Sequence, residues 1–486
     1  MVGTAITSGA HPTTDNEADA KGQSRRDSVR RLSFVGTALA TSILVLLPVA
    51  IKPTDIIVAP WVAFDPVKFA LLWKLSAALL VAVLGSLALR NRPYYVPVLL
   101  PVLSFLGVSA VSTLLSGNIT RSLLGTVYRY DGLLSLACGI LLFYAAAKFL
   151  DSWAKVRVFL VGGVTAAVIV AVYGILQMFG LDPVLQMNIP WIYIQGPIEG
   201  HLSILYEHAD RAFSTLGYPI ILANYLTLMM GAALALYFEA EARWEKGMWL
   251  AAIALMAACW LYTYTRGAML GCAVAVLILT FLAYRRLGTF KPLILPVIVV
   301  AAGILGAVLL NPLPASNISN HVGGTNMATN PGDVPSGGDI SVTTRLLMWR
   351  DALPMIADHP LFGYGPDNFA KPFKDYESAE LRSFFGKGNS IDKAHNEFVQ
   401  VAATTGLLGL AAYLWIFVSY FRKSYRSGGW PLFALSGGVL AYILQLMTWN
   451  TTISTGVTFW AILGVSVAIM RLQSRSSESE DHGKAG

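Results

Sequence analysis

Five arginines stand out because each lies within or beside an apolar segment: Arg121, Arg129, Arg211, Arg266 and Arg345. A charge at membrane depth costs about 3 kcal/mol, so it usually faces a cavity or a partner. A planar guanidinium binds two oxygens at once, so arginines grouped near one surface predict a phosphate or diphosphate site. The alternative is pairing with nearby carboxylates or with lipid headgroups. That alternative is weakest for Arg266, because its own apolar stretch contains no acidic residue.

His395 is the candidate general base, because it stands where an apolar helix is predicted to begin. A helix N-terminus disfavours imidazolium, so we expect a neutral ring that can accept a proton near pH 7. Asp392 or Glu397 would orient the ring. Asn396 would either position a substrate or cap the helix. A histidine at the membrane boundary without a catalytic role is the alternative interpretation.

Other motifs in the sequence indicate no metal, redox or nucleotide chemistry. The spacing of His201, Glu207 and His208 is not diagnostic of a metal site,. The three cysteines lie inside apolar runs without redox spacing, and no Walker loop, dinucleotide fingerprint or nucleophile elbow is present. The segment 363–365 is a GxG that we interpret as a turn.

The amino-acid composition predicts that membrane-spanning helices position the arginines and His395. Of 486 residues, 55% are hydrophobic and 13% charged, whereas soluble domains carry about 25% charged residues. Apolar runs of about 20 residues recur along the chain. The expected fold is an all-α polytopic membrane protein, and a single soluble domain, a disordered chain and an outer-membrane barrel are excluded.

The apolar runs predict about twelve transmembrane helices. They lie near 33–51, 69–89, 96–115, 132–150, 158–180, 216–238, 248–284 (two helices), 292–310, 395–421, 430–450 and 456–470. The run 248–284 is too long for one crossing at 1.5 Å per residue, and residues 264–267 (Tyr-Thr-Arg-Gly) are predicted to break it.

The distribution of positive charge predicts the topology. With the N-terminus inside, every segment assigned to the cytoplasm is basic, which is the positive-inside pattern. The net charge of +7 therefore fits loop orientation rather than nucleic-acid binding,. The predicted units are a disordered cytoplasmic tail (1–32), helices 1–9 (33–310), an outer loop (311–394), helices 10–12 (395–470) and a cytoplasmic tail (471–486). In the loop, 311–341 is expected to be mobile, and 344–353 to form an amphipathic helix in a structured cap.

Three groups of residues resemble the bacterial O-antigen ligase/polymerase superfamily of inner-membrane glycosyltransferases. The first group is Arg345, Trp349, Ala352-Leu353 and the run from His359 to Gly365 with Phe369. The second group is Ala394-His395-Asn396-Glu397-Phe398 with the later Gly406-Leu407-Leu408-Gly409. The third group is the run from Arg211 to Gly217 with Thr265-Arg266-Gly267. Together they span about 210–410. Where members often have Asn-Pro, this chain has Tyr218-Pro219.

The resemblance implies a donor glycan on undecaprenyl diphosphate at the outer leaflet of the bacterial cytoplasmic membrane. It also implies an acceptor that is either lipid A-core, as for a ligase, or another glycan, as for a polymerase, with no metal or other cofactor and no nucleic acid. We expect an inverting displacement, with membrane lipids around the protein. The catalytic residues would be His395, Arg266 and Arg211, and the substrate-binding residues Arg345, Asn396, Arg129 and Arg121.

Two other membrane functions and a structural role stay open at this point. A lipid-linked glycan transporter or flippase would use the outer arginines only for binding. A glycosyltransferase that uses polyprenyl-phosphate sugars would rely on Asp55 or Asp65 as base, often with a metal. The sequence does not choose between ligase and polymerase, nor does it identify the sugars or the acceptor.

Overall fold

The computed structural model describes residues 14–51, 65–89, 95–127, 129–181, 211–310, 342–385 and 391–484. In these ranges the chain is helical and has no strand. The first helices are α1 (Thr14–Val49), α2 (Asp65–Ala88), α3 (Leu99–Leu115), α4 (Ile119–Leu124), α5 (Leu133–Phe149), α6 (Trp153–Met178), α7 (Pro219–Glu239) and α8 (Arg243–Tyr262). They are followed by α9 (Arg266–Leu287), α10 (Lys291–Leu309), α11 (Val342–Asp358), α12 (Ala370–Phe373), α13 (Ala379–Phe385), α14 (Glu397–Ser427), α15 (Trp430–Gln445) and α16 (Ile453–Lys484).

Eight of the described helices are long and apolar enough to cross a membrane: α1, α2, α6, α7, α9, α10, α14 and α16. Three apolar helices, α3, α5 and α15, are shorter, with 16 or 17 residues each. The 20-residue α8 occupies a further predicted span. The all-helical polytopic class is therefore confirmed, and the number of twelve spans stays a prediction.

Several local predictions can be compared with the described helices. The predicted break at 264–267 is confirmed, because α8 ends at Tyr262 and α9 begins at Arg266. The predicted amphipathic helix is also present, as α11. The structure differs at 14–32, which we predicted as disordered and which lies in α1. Residues 1–13 and 311–341, Asp55, His201, Glu207 and His208 lie outside the described residues.

Small residues bring the central helices together. Gly464 of α16 lies against the backbone of Phe143 in α5, where an added Cβ would stand 2.6 Å from the carbonyl oxygen. Gly231 of α7 and Gly438 of α15 face each other in the same way. Glycine at such contacts lets helix backbones approach closely within a membrane. The most apolar part of α16 is 100% buried, whereas that of α10 is 11% buried. Thus α16 is central in the bundle and α10 is peripheral.

Residues 342–385 and 391–396, here called the cap segment, fold over one end of the bundle around a second apolar core. Met348, Ala352 and Met355 of α11 are fully buried there, together with Phe369 and Phe373. The two phenylalanine rings stack with their centroids 4.7 Å apart. The cap segment is therefore a packed unit and not a loose loop.

The cap segment docks onto α14 through backbone groups at a kink. Gly406 has φ 72° inside α14, and the freed N–H of Leu407 donates to Pro360 O at 2.7 Å. The N–H of Gly365 donates to Thr404 O at 2.7 Å. A Cβ on Gly406 would lie 2.2 Å from Leu361 O. Glycine is thus required at this position both for its φ and for the close approach.

Gly406→Ala is expected to lower the free energy of unfolding by at least about 2 kcal/mol, because it combines a left-handed φ with a backbone clash. Denaturant titration in detergent micelles measures the change. Gly107→Ala is the control, because Gly107 lies inside α3 with nothing within 4 Å of an added Cβ. Equal stability of the two variants would contradict the docking described here.

Candidate functional site

The segment that carries His395 is held by three different parts of the chain. Trp349 of α11 donates its indole N–H to Ala394 O at 3.0 Å. The Ala394 N–H donates to Gln400 Oε1 at 2.8 Å, and the Glu397 N–H donates to Leu446 O at 2.9 Å. His395 itself has φ 49°, a conformation that non-glycine residues adopt rarely and that recurs at functional sites. The structure thus fixes His395 just before α14, whereas the sequence predicted it as the first helical residue.

Asn396 forms the cap of α14. Its Oδ1 accepts hydrogen bonds from the N–H groups of Phe398 at 2.9 Å and Val399 at 3.3 Å. This is the capping role that the sequence left open. A role of Asn396 in substrate binding stays a prediction.

Aromatic rings connect His395 with the segment that follows Arg211. The imidazole lies 5.0 Å from the ring of Trp449, between centroids. Trp449 stacks on Tyr218 at 5.4 Å, and Tyr218 directly precedes α7. Gly267, the second residue of α9, lies against Thr448, since an added Cβ would stand 2.5 Å from its hydroxyl. Trp449 and Thr448 therefore join the starts of α7, α9 and α14 at one end of the bundle.

Arg211 is buried, with 4% of its surface exposed, and it lies against the break between α8 and α9. Its Nε donates to Thr263 O at 2.8 Å, and a terminal nitrogen donates to Thr265 Oγ1 at 3.4 Å. The adjacent Ala212 N–H donates to Tyr262 O at 2.9 Å. Arg266 follows Thr265 and is exposed. The structure therefore brings Arg211 to Thr265, the residue before Arg266, although 54 positions separate Arg211 from Thr265.

His395 lies in a cationic environment that keeps its ring neutral. Burial lowers the pKa of His395 to about 3, assisted by the positive charges of Arg345, Arg129 and Lys393. The sequence predicted a neutral ring on the basis of the helix N-terminus, but burial and these three cations are the main causes. The Nδ1 atom is buried and has no hydrogen-bond partner among the described residues. Arg345 lies one helical turn before Trp349 in α11, on the side that meets Ala394.

Two ion pairs surround this environment. Arg129 pairs with Asp392, and Lys393 pairs with Asp131. Burial raises the pKa of Asp131. The pKa of Lys393 is also raised, because the carboxylates of Asp131 and Asp367 outweigh the opposing effect of burial.

Neither predicted orienting carboxylate contacts the imidazole in the described part of the chain. Asp392 pairs with Arg129, and Glu397 accepts the Thr451 N–H at 2.8 Å. Arg121 lies in α4, where its backbone N–H donates to Asn118, and none of the described contacts links its side chain to the residues around His395. Within the described ranges, no group of three or more His, Cys, Asp or Glu side chains is placed to hold a metal ion.

Sequence reasoning missed the roles of Trp449 and Lys68 near this site. Trp449 connects His395 with Tyr218, but a single tryptophan between two apolar runs gives no signal of that contact. The predicted span near 69–89 leaves Lys68 in the preceding loop, whereas Lys68 lies fully buried in α2 and donates to Thr215 O at 2.8 Å. A signal was available for Lys68, because Asp65 precedes it by one helical turn at the start of an apolar run.

The fold and these contacts define a polytopic helical membrane protein with a neutral histidine in a cationic site at one end of the bundle. Residues 251–414, about a third of the chain, match the model of the O-antigen ligase family. The match includes Arg266, Arg345 and His395, and it confirms the resemblance to the O-antigen ligase/polymerase superfamily. A comparison with curated proteins gave no match.

Lys393→Met is expected to lower the free energy of unfolding by about 3 kcal/mol, because it leaves the largely buried Asp131 carboxylate without its partner,. Chemical denaturation in micelles measures the loss. The double variant Asp131→Asn/Lys393→Met should regain most of it, since no uncompensated charge is then buried. Additive losses in the double variant would show that the pair is not coupled.

Proposed function

We propose that the protein is an O-antigen ligase-like glycosyltransferase, which transfers a glycan from undecaprenyl diphosphate to an acceptor hydroxyl. The observation that carries the proposal is the neutral, half-buried His395 among Arg345, Arg129 and Lys393, joined through Trp449 to the segment of Arg211. The family match over 251–414 supports this class of activity.

The arginines are suited to hold the diphosphate. In this reaction negative charge develops on the leaving diphosphate, and fixed positive charge stabilises that transition state. Arg211 is held rigidly by Thr263 and Thr265, and Arg266 follows at the start of α9. Arg345 approaches from the cap segment. The exposed apolar flanks of α9 and α10 suit a prenyl chain.

His395 would act as the general base. The acceptor oxygen attacks the anomeric carbon, the bond from that carbon to the diphosphate oxygen breaks, and undecaprenyl diphosphate leaves with the electron pair. The acceptor proton passes to the imidazole, and the configuration inverts. Without donor, burial and the nearby cations make the ring a weak base. A bound diphosphate offsets the positive charges and raises its basicity. The donor would therefore bind before the acceptor hydroxyl is deprotonated.

The proposed reaction uses no metal or other cofactor and takes place at the outer face of the bacterial cytoplasmic membrane. The basic segments predicted on the inside support this location and a cytoplasmic position of both termini. The partners are the lipid-linked donor, a lipid or glycan acceptor and the surrounding lipids.

Deletion of the gene and profiling of surface glycans separates ligase from polymerase. Intact lipid-linked polymer without attachment to its acceptor indicates a ligase, and single repeat units alone indicate a polymerase. Movement of the donor across vesicle membranes without a new glycosidic bond would instead indicate a flippase and contradict the proposed reaction.

His395→Ala is expected to lower the rate of glycan transfer by about 10²–10⁴-fold, the usual contribution of a general base. Binding of the lipid-linked donor should persist, because the arginines remain. Purified protein with donor and acceptor gives both measurements. His359→Ala is the matched control, because His359 is an exposed histidine of the cap segment and should leave transfer unchanged. Full transfer by His395→Ala would show that another group is the base.

The pH dependence of transfer reports the charge environment of His395. Its lowered pKa, about 3 in the free protein, predicts that kcat/KM shows no acid limb from this ring at about pH 5–8. The acid limb of the kcat profile should lie at higher pH than that of kcat/KM, because the bound diphosphate raises the pKa of His395. In Arg345→Gln the acid limb of kcat/KM should move to higher pH, since the removal of one positive charge raises the pKa of His395. A wild-type kcat/KM limb near the ordinary histidine pKa of about 6.5 would contradict this environment.

A further inference from the structure

A separate cavity of about 140 Å³ lies beside the site, between α3, α5, α14 and α16. Lys393 and Glu397 line it, whereas His395, which lies between them in the chain, does not. The segment before α14 thus separates two compartments. A cavity of roughly 150 Å³ in another protein holds a benzene ring. A pyranose is larger because of its hydroxyl substituents, so this space admits the six-membered ring with part of its substituents outside the cavity.

The lining combines aromatic surface with hydrogen-bonding groups. Phe105, Tyr413 and Trp460 supply ring faces and edges, against which the C–H face of a sugar can pack. Thr404 and Thr405 donate their hydroxyl protons to Gln400 O and Val401 O at 2.7 and 2.8 Å. Their oxygen lone pairs therefore remain as acceptors. Mostly apolar walls with a few placed polar groups are typical of a small-molecule site.

Ser109 supplies the observation that points most directly to a ligand. It lies in α3 and lines the cavity, and its side chain is completely buried. Its Oγ has no hydrogen-bond partner among the described residues. Buried hydroxyls are normally hydrogen-bonded, because an unmade bond costs free energy. A ligand hydroxyl in the cavity would supply the missing partner.

The charge of the cavity selects the kind of sugar. Three carboxyl groups, those of Asp131, Asp367 and Glu397, line it together with one ammonium group, that of Lys393. The cavity carries no excess positive charge, so phosphate and carboxylate ligands are disfavoured there. Arg345 and Arg129, the other two cations near His395, do not line this cavity.

We propose that this cavity binds one uncharged or amino-bearing pyranose ring of the glycan substrate and rejects uronic acids. The proposal rests on the proposed function, since it assigns the ring to the same donor or acceptor. It identifies a sugar subsite that is separate from the diphosphate site.

Saturation-transfer NMR on the purified full-length protein tests binding without any transfer reaction. The probes are methyl α-D-glucopyranoside and methyl α-D-glucuronide, which differ in one carboxylate. The neutral glycoside should receive saturation from the wild type, and the glucuronide should bind at least about tenfold more weakly because of the nearby carboxylates. Equal binding of the two glycosides, or of neither, would overturn the proposal.

Variants of α3 locate the binding. Ser109→Leu fills the cavity and should abolish saturation transfer, whereas Ser104→Leu should retain it, because Ser104 lies outside the cavity on the same helix. Ser109→Ala adds no bulk and should weaken binding by about two- to tenfold. If both Ser109 variants fold and bind the neutral glycoside like Ser104→Leu, the cavity is not the site.

Transfer assays separate this proposal from the proposed function. Glycoside binding that Ser109→Leu abolishes supports the cavity even if the protein transfers no glycan. Transfer without such binding overturns the cavity alone. If the neutral glycoside inhibits transfer competitively with the acceptor, the ring belongs to the acceptor. If it competes with the donor, the ring belongs to the donor. Either result supports the subsite.

Discussion

Three hydrogen bonds hold residues 394–397 in place and determine the geometry around His395. Trp349 of the cap segment, Gln400 of α14 and Leu446 at the end of α15 each bond to this short stretch. These hydrogen bonds hold His395 at a positive φ. Movement of the cap segment, α14 or α15 would allow the backbone of His395 to return to an ordinary φ. The imidazole therefore keeps its position against Trp449 only while the cap segment is docked, and the kink at Gly406 makes that docking possible.

The start of α14 also separates charge into two compartments. On one side, His395 lies near Arg345 and Arg129, and burial together with their positive charges keeps the ring neutral. On the other side, Glu397, Asp131 and Lys393 line a cavity with aromatic walls. A lipid-linked glycan has the same division, because its diphosphate is anionic and its sugars are largely uncharged. The protein thus presents matching chemistry to both parts of the proposed substrate.

Sequence reasoning predicted the elements better than the contacts. Hydropathy located the helices, and the lone Arg266 in an apolar run located the break between α8 and α9, because local composition determines both features. The stacking of Trp449 on Tyr218 and the burial of Ser109 were not predictable, since each depends on helices that are far apart in the chain. The positive φ of His395 likewise results from tertiary hydrogen bonds, whereas the sequence pattern favoured a regular helix from that residue.

In the proposed function, Arg211, Arg266 and Arg345 share one diphosphate site beside His395. A cryo-electron microscopy map of the protein with undecaprenyl diphosphate tests it most directly, because the two phosphates give strong density. We expect both phosphates to lie within hydrogen-bonding distance of these guanidinium groups and next to the imidazole, with the prenyl chain leaving toward the lipid. Density for the diphosphate at the opposite end of the bundle, or bound without any of the three arginines, would contradict it.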